Sequence, residues 1–88
     1  MTLTFQINYR TPYGQSICVI ETEHSVLGWT EEHPLVLNCQ GQDFWTATLQ
    51  ISDFAGAITY KYALRLPEGG YIYEAGLPRT LMLRRPRY

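Results

Sequence analysis

The sequence predicts an all-β domain, an immunoglobulin-like antiparallel sandwich of about seven short strands, and three observations carry that prediction. Apolar and polar residues alternate at period 2 over several short runs. Turn residues interrupt these runs at a spacing of roughly 8–12 residues, the rhythm of a sandwich or open barrel. All five prolines lie at run borders, outside the ladders that need their N–H donors.

Taken in order, Leu3, Phe5, Ile7 and Tyr9 alternate with Thr4, Gln6 and Asn8 in a half-buried first strand, and Thr11-Pro12-Tyr13-Gly14 follows as a turn. Ser16 to Ile20 is a β-branched second strand. Spacing alone would also allow an amphipathic helix over 15–27, but the Ile and Val content and the flanking turn favour a strand plus a loop. Leu27-Gly28-Trp29 opens a loop that ends at Pro34, and Leu35-Val36-Leu37 is a third strand closing at Gln40-Gly41-Gln42. Trp45, Ala47, Leu49 and Ile51 alternate with Thr46, Thr48 and Gln50 in the fourth, which Ser52 to Gly56 ends as a turn. Ile58, Tyr60, Tyr62 and Leu64 form the fifth, with Lys61 on the opposite face from the two tyrosines. Pro67-Glu68-Gly69-Gly70 is a hairpin signal, Tyr71 to Glu74 a sixth strand, and Leu81-Met82-Leu83 a seventh.

Eighty-eight residues make one domain, 1–88, with a thin core and little stability to spend on shaping a deep active site. Shallow recognition is the expectation. An apolar fraction of 45%, a charged fraction of 17% and a net charge of −1 describe a globular chain and argue against nucleic acid as a partner. Four of the last ten residues are arginine (Arg79, Arg84, Arg85, Arg87), read as a solvated edge or a junction to a following domain. No apolar run approaches the ~20 residues that span a bilayer, and no signal peptide is legible. Together with Cys18 and Cys39, read as free and partly buried thiols, this points to the cytoplasm and away from a membrane. Met1 opening directly into a strand suggests the N-terminal part of a longer enzyme.

The parts of an enzyme are missing from the sequence. It holds no Gly-x-Ser-x-Gly elbow, no His-Glu-x-x-His and no glycine-rich phosphate loop. Cys18, His24, His33 and Cys39 lack the close pairs of a zinc site. Glu31 and Glu32, being adjacent, point apart in an extended segment, whereas acid–base cleavage needs two carboxylates converging on one bond; a solvated loop is their expected role. No cofactor is implied.

The aromatic content is high: seven Tyr, two Trp and three Phe, 14% of the chain. A thin core leaves some of these rings outside. Flat rings stack on the apolar faces of sugars, and a few nearby polar groups satisfy the hydroxyls. Trp45 heads an apolar alternation and reads as core. Trp29 lies in a loop, where exposure and burial are equally compatible with its context. Lys61 sits mid-strand, and Tyr73 reads equally as core or platform.

The order Thr4-Phe5, Thr11 to Ile17, Leu27-Gly28-Trp29, Phe44-Trp45, Tyr60-Lys61-Tyr62 and Tyr73-Glu74 with Arg79 resembles the starch-binding domain, the family 20 carbohydrate-binding module, from Leu3 to about Leu83. The resemblance implies a non-catalytic module that binds α-1,4-glucan (starch, glycogen or maltooligosaccharide) and anchors a catalytic domain in the same chain. Among such enzymes, 4-α-glucanotransferases of the amylomaltase type carry the module at their N-terminus. It also implies a first site at Trp29, Lys61, Tyr73 and Glu74, and a second at Tyr13. Three departures stand against the family pattern, and those at Tyr73 and Pro78 favour a rival reading, a degenerate sandwich that serves as a structural or interdomain interaction module. Leu27-Gly28-Trp29 lacks the usual residue between Gly and Trp, Tyr73 replaces a Trp, and Pro78 replaces an Asn before Arg79.

Overall fold

A computed structural model describes residues 2–23, 26–51 and 56–83. The turn expected at 52–55, His24, and the terminal residues 84–88 with their three arginines lie outside the described residues. Two antiparallel sheets face each other, and the described residues contain no helix, hence none long and apolar enough to cross a membrane.

In the first sheet, β1 (Thr2–Asn8) pairs along its whole length with β5 (Phe44–Gln50), from Thr2 opposite Gln50 to Asn8 opposite Phe44. Alternate residues of a strand share a face. Leu3, Phe5 and Ile7 therefore meet Leu49, Ala47 and Trp45 on the inner side, while Thr2, Thr4, Gln6 and Asn8 face outward. The two-residue β4 (Asn38–Cys39) completes the order β1-β5-β4.

In the second sheet, β2 (Ser16–Glu21) and the ten-residue β6 (Gly56–Arg65) form the centre. β3 (Leu35–Val36) lies on the far side of β2; β7 (Tyr71–Tyr73) and β8 (Arg79–Leu83) both pair with β6, at its end and its beginning. The third strand expected at 35–37 is thus two short strands in different sheets. Leu37 marks the crossing: its amide donates to the Ile17 carbonyl at 2.9 Å, and its side chain is fully buried.

The core between the sheets holds Ile17, Val19, Leu37, Ala47 and Ile58 around a group of rings. Phe5 meets Trp29, Tyr60 and Tyr62 edge-to-face at centroid separations of 5.4, 5.1 and 6.5 Å, the geometry aromatic quadrupoles prefer. Trp45 is core as expected, and its indole N–H donates to the Tyr9 carbonyl at 3.1 Å. The two cysteines are unbridged but not alike: Cys18 is fully buried and Cys39 exposed. Burial, partly offset by the charge of Arg65, pushes the Cys18 thiol up to about 11, which leaves it an unreactive packing residue.

Candidate functional site

A second, smaller apolar layer lies on the outer face of the β3-β2-β6-β7 sheet. Cys18, Ile20 and Ala63 are buried there, with Tyr71 packed over them. Antiparallel register sets Cys18, Ala63 and Tyr73 in one row, Arg65 and Tyr71 in the next, and Ile20 with Lys61 in a third. Tyr71 and Tyr73, two residues apart on one strand, present their rings on this same face. Their centroids are 6.3 Å apart and their planes inclined by 47°. Tyr73 is 36% exposed.

The 30–34 loop comes down beside these rings. Tyr71 donates its hydroxyl to the Glu31 backbone carbonyl at 2.6 Å, and Tyr73 donates to the Glu31 carboxylate. Burial, reinforced by the bond and charge of Glu31, raises the Tyr73 phenol well above its ordinary value. Glu31 is exposed, as expected of a solvated loop, and it also accepts from both hydroxyls, which fixes the orientation of the two rings. Between this loop and the sheet lies an open hollow of about 380 Å³, bordered by Glu21, Thr22, Thr30, Glu31 and Tyr73.

Behind Tyr73 the chain leaves β7 at Glu74, whose side chain ties β6 to β8. One carboxylate oxygen accepts from the Tyr62 amide at 3.2 Å and from Arg79 Nε at 2.9 Å; the other accepts from the Arg79 Nη2 at 3.0 Å. Such two-pronged guanidinium–carboxylate pairing fixes geometry as well as charge. Desolvation pushes the Glu74 carboxyl up, but the Arg79 bond, the Tyr62 amide and the charges of Arg79 and Lys61 together bring it below its ordinary range. Arg79 is held protonated by the same bond, and its guanidinium carbon lies 5.2 Å from the Tyr62 ring centre. Lys61 donates to the Glu74 backbone carbonyl at 3.1 Å, one of the three N–H bonds an ammonium offers.

Lys61, Tyr73 and Glu74 are thus brought together as the sequence suggests, and Tyr71 joins them. The period-2 spacing of Tyr71 and Tyr73 was the signal that could have identified it. Trp29 does not join them. It is 7% exposed and turned into the core against Phe5, a correction to the exposed ring that the resemblance implies. Two local causes set this direction. Gly28 adopts φ of 87°, a left-handed conformation that costs glycine little. The buried Glu21 carboxylate accepts from the amides of Val26 at 2.8 Å, Leu27 at 3.1 Å and Trp29 at 3.0 Å, which wraps the loop around it.

Tyr13 lies apart from this group. Its turn is closed by the Gln15 amide donating to the Pro12 carbonyl at 3.1 Å, and Gly14 approaches Pro67 of the 66–70 hairpin. The Tyr13 side chain is fully exposed.

A shallow face that bears two inclined rings on a two-sheet scaffold is suited to binding. The family model described as a starch-binding domain matches residues 1–85, and the chain belongs to that family. No curated protein has a significantly similar sequence. Among solved structures, a glycoside hydrolase family 15 glucoamylase from Hypocrea jecorina superposes with a TM-score of 0.73 at 21% identity, over 92% of this chain and 14% of the glucoamylase. At that identity the likeness is one of fold, and the chain spans about a seventh of that enzyme's length.

Proposed function

We infer that the domain binds α-glucan on the outer face of the β3-β2-β6-β7 sheet, with Tyr73 and Tyr71 as the stacking rings and Lys61 as hydroxyl donor. The observation that supports this most is the pair of inclined rings beside the Lys61–Glu74 pair. Two planes meeting at 47° suit successive residues of a curved α-1,4-linked chain better than those of a flat one. Glu74 holds the frame through Arg79, Trp29 supports the face from within the core, and Tyr13 is a second, independent contact.

Such a site is weak, with a Kd on the order of 10 µM to 1 mM, because a small stacked contact leaves little surplus after ordering costs. The domain serves an attached starch-active catalytic domain in the cytoplasm, for which the sequence resemblance favours a 4-α-glucanotransferase. Isothermal titration with maltoheptaose and depletion onto granular starch test the binding. Saturable binding to both is the expected result; no heat and no depletion at millimolar sites would overturn the reading.

The burial of Trp29 favours a second reading, an interaction module that packs on its catalytic domain. It is distinguished by the same titration: an interaction module is silent to maltoheptaose.

A further inference from the structure

The first strand is an open edge of unusual composition. Among the described residues, β1 pairs with β5 alone, so one side of its seven-residue backbone is without a ladder partner. Natural sheet edges are protected against such exposure by brevity, charge, proline or a bulge. The other edges here follow that rule: β3 and β4 have two residues each, β7 has three, and β8 carries Arg79. β1, Thr-Leu-Thr-Phe-Gln-Ile-Asn, has no charge and no proline, and its register with β5 runs without a bulge.

The same edge borders an apolar opening in the sandwich. A cleft of about 140 Å³ lies between β1 and β7, lined by Ile7, Tyr9, Tyr62, Leu64 and Ile72. Tyr9 is 47% and Ile72 54% exposed, an apolar patch of the kind that marks an interaction surface.

We propose that a second copy of this chain adds to this edge, β1 against β1 in antiparallel pairing about a two-fold axis through Phe5. The sequence of the strand is self-complementary about that residue. Leu3 falls opposite Ile7 of the second copy, Thr4 opposite Gln6, and Thr2 opposite Asn8. Apolar meets apolar on the inner face, and neutral polar meets neutral polar on the outer one. A two-fold interface requires that self-complementarity. A slip of one residue would send the apolar set to the solvent face, and a slip of two would leave strand ends unpaired.

The two β1-β5-β4 sheets then merge into one of six strands, and the incoming Leu3 sits beside Ile7 at the mouth of the cleft. Tyr71, Tyr73 and Lys61 lie on the outer face of the other sheet, so the pairing leaves both copies of that face uncovered. A single seven-residue edge buries less than the ~1,200 Å² at which stable interfaces begin, so the dimer is weak, with a Kd on the order of 10 µM to 1 mM. Two modules joined in this way would hold a polysaccharide with the added strength of bivalency.

Sedimentation velocity of the 88-residue chain from about 10 µM to about 1 mM tests the proposal at low salt. The expected result is a sedimentation coefficient that rises from monomer toward dimer. The double variant T4K/Q6K sets Lys opposite Lys at both outer pairs, where like charges repel, and raises the Kd at least about tenfold. T4E/Q6E does the same through Glu, and an equimolar mixture of the two variants associates again, as a heterodimer. Thr4 and Gln6 are exposed, so both variants are expected to keep the fold, and circular dichroism of each verifies it. A wild type that stays monomeric at about 1 mM overturns the proposal. So does a folded T4K/Q6K variant that associates as the wild type does.

Discussion

Segment 27–30 and strand β7 each supply an aromatic residue that the sequence offers as a sugar platform, and the fold disposes of them in opposite ways. Trp29 turns inward to meet Phe5, with its amide held by a buried carboxylate. Tyr73 stays on a sheet face, held by its hydroxyl to a loop that crosses above. A ring's chemistry is set by what its backbone is tied to. Trp29 is tied to Glu21 and the core; Tyr73 is tied to the ladder with Ala63, which fixes the face it shows.

Removing each ring in turn separates the two roles. Trp29→Ala empties a core position and should destabilise the domain by about 3–5 kcal/mol, a large share of the ~5–15 kcal/mol of a whole domain. Urea unfolding measures it. A loss below about 1 kcal/mol would show that Trp29 is not a core residue. Tyr73→Ala should leave stability nearly intact, costing under about 1 kcal/mol. Its effect is on maltoheptaose affinity, lowered about 5–30-fold by loss of a stacking ring. Tyr73→Phe separates the ring from its hydroxyl, since it keeps the stacking surface and frees Glu31.

A smaller effect concerns the frame behind the face. The folded-state pKa of Glu74 lies below its ordinary value. Its contribution to stability is therefore complete above the ordinary value of 4.5 and is lost as pH falls through the folded value. Glu74→Gln removes that contribution, of about 1 kcal/mol. Comparison of wild-type and Glu74→Gln unfolding from pH 6 downward should show the two curves converging in acid. Equal separation at every pH would contradict this assignment. Smallest of all, Tyr13→Ala should change stability by less than ~0.5 kcal/mol and maltoheptaose affinity by less than about threefold.

The fold was largely legible because strand alternation is a local signal. Leu3 to Ile7, Trp45 to Leu49 and Ile58 to Leu64 all place their apolar sets inward as the pattern requires. Of the candidate site, only the part that rides on a strand was legible: Lys61, Tyr73 and Glu74 lie together because ladder register puts them so. Tyr71 was missed, although the same period places it on the face of Tyr73. What lay in loops was not legible. The direction of Trp29 depends on a left-handed Gly28 and on three amides turning toward Glu21, a residue 8 positions away from Trp29 in sequence. Glu31 reads as a solvated acid in isolation, and only the chain's return over β7 brings it to the two hydroxyls.

In the proposed site the glucan lies on Tyr71 and Tyr73, and Trp29 stays in the core against Phe5. Two-dimensional ¹H–¹⁵N NMR of the domain, titrated with maltoheptaose, tests it most directly. Saturable shifts are expected at the amides of Lys61, Tyr71, Tyr73 and Glu74, with the Trp29 indole N–H nearly unmoved. A Trp29 indole that shifts strongly while the Tyr71–Glu74 amides stay in place would contradict it.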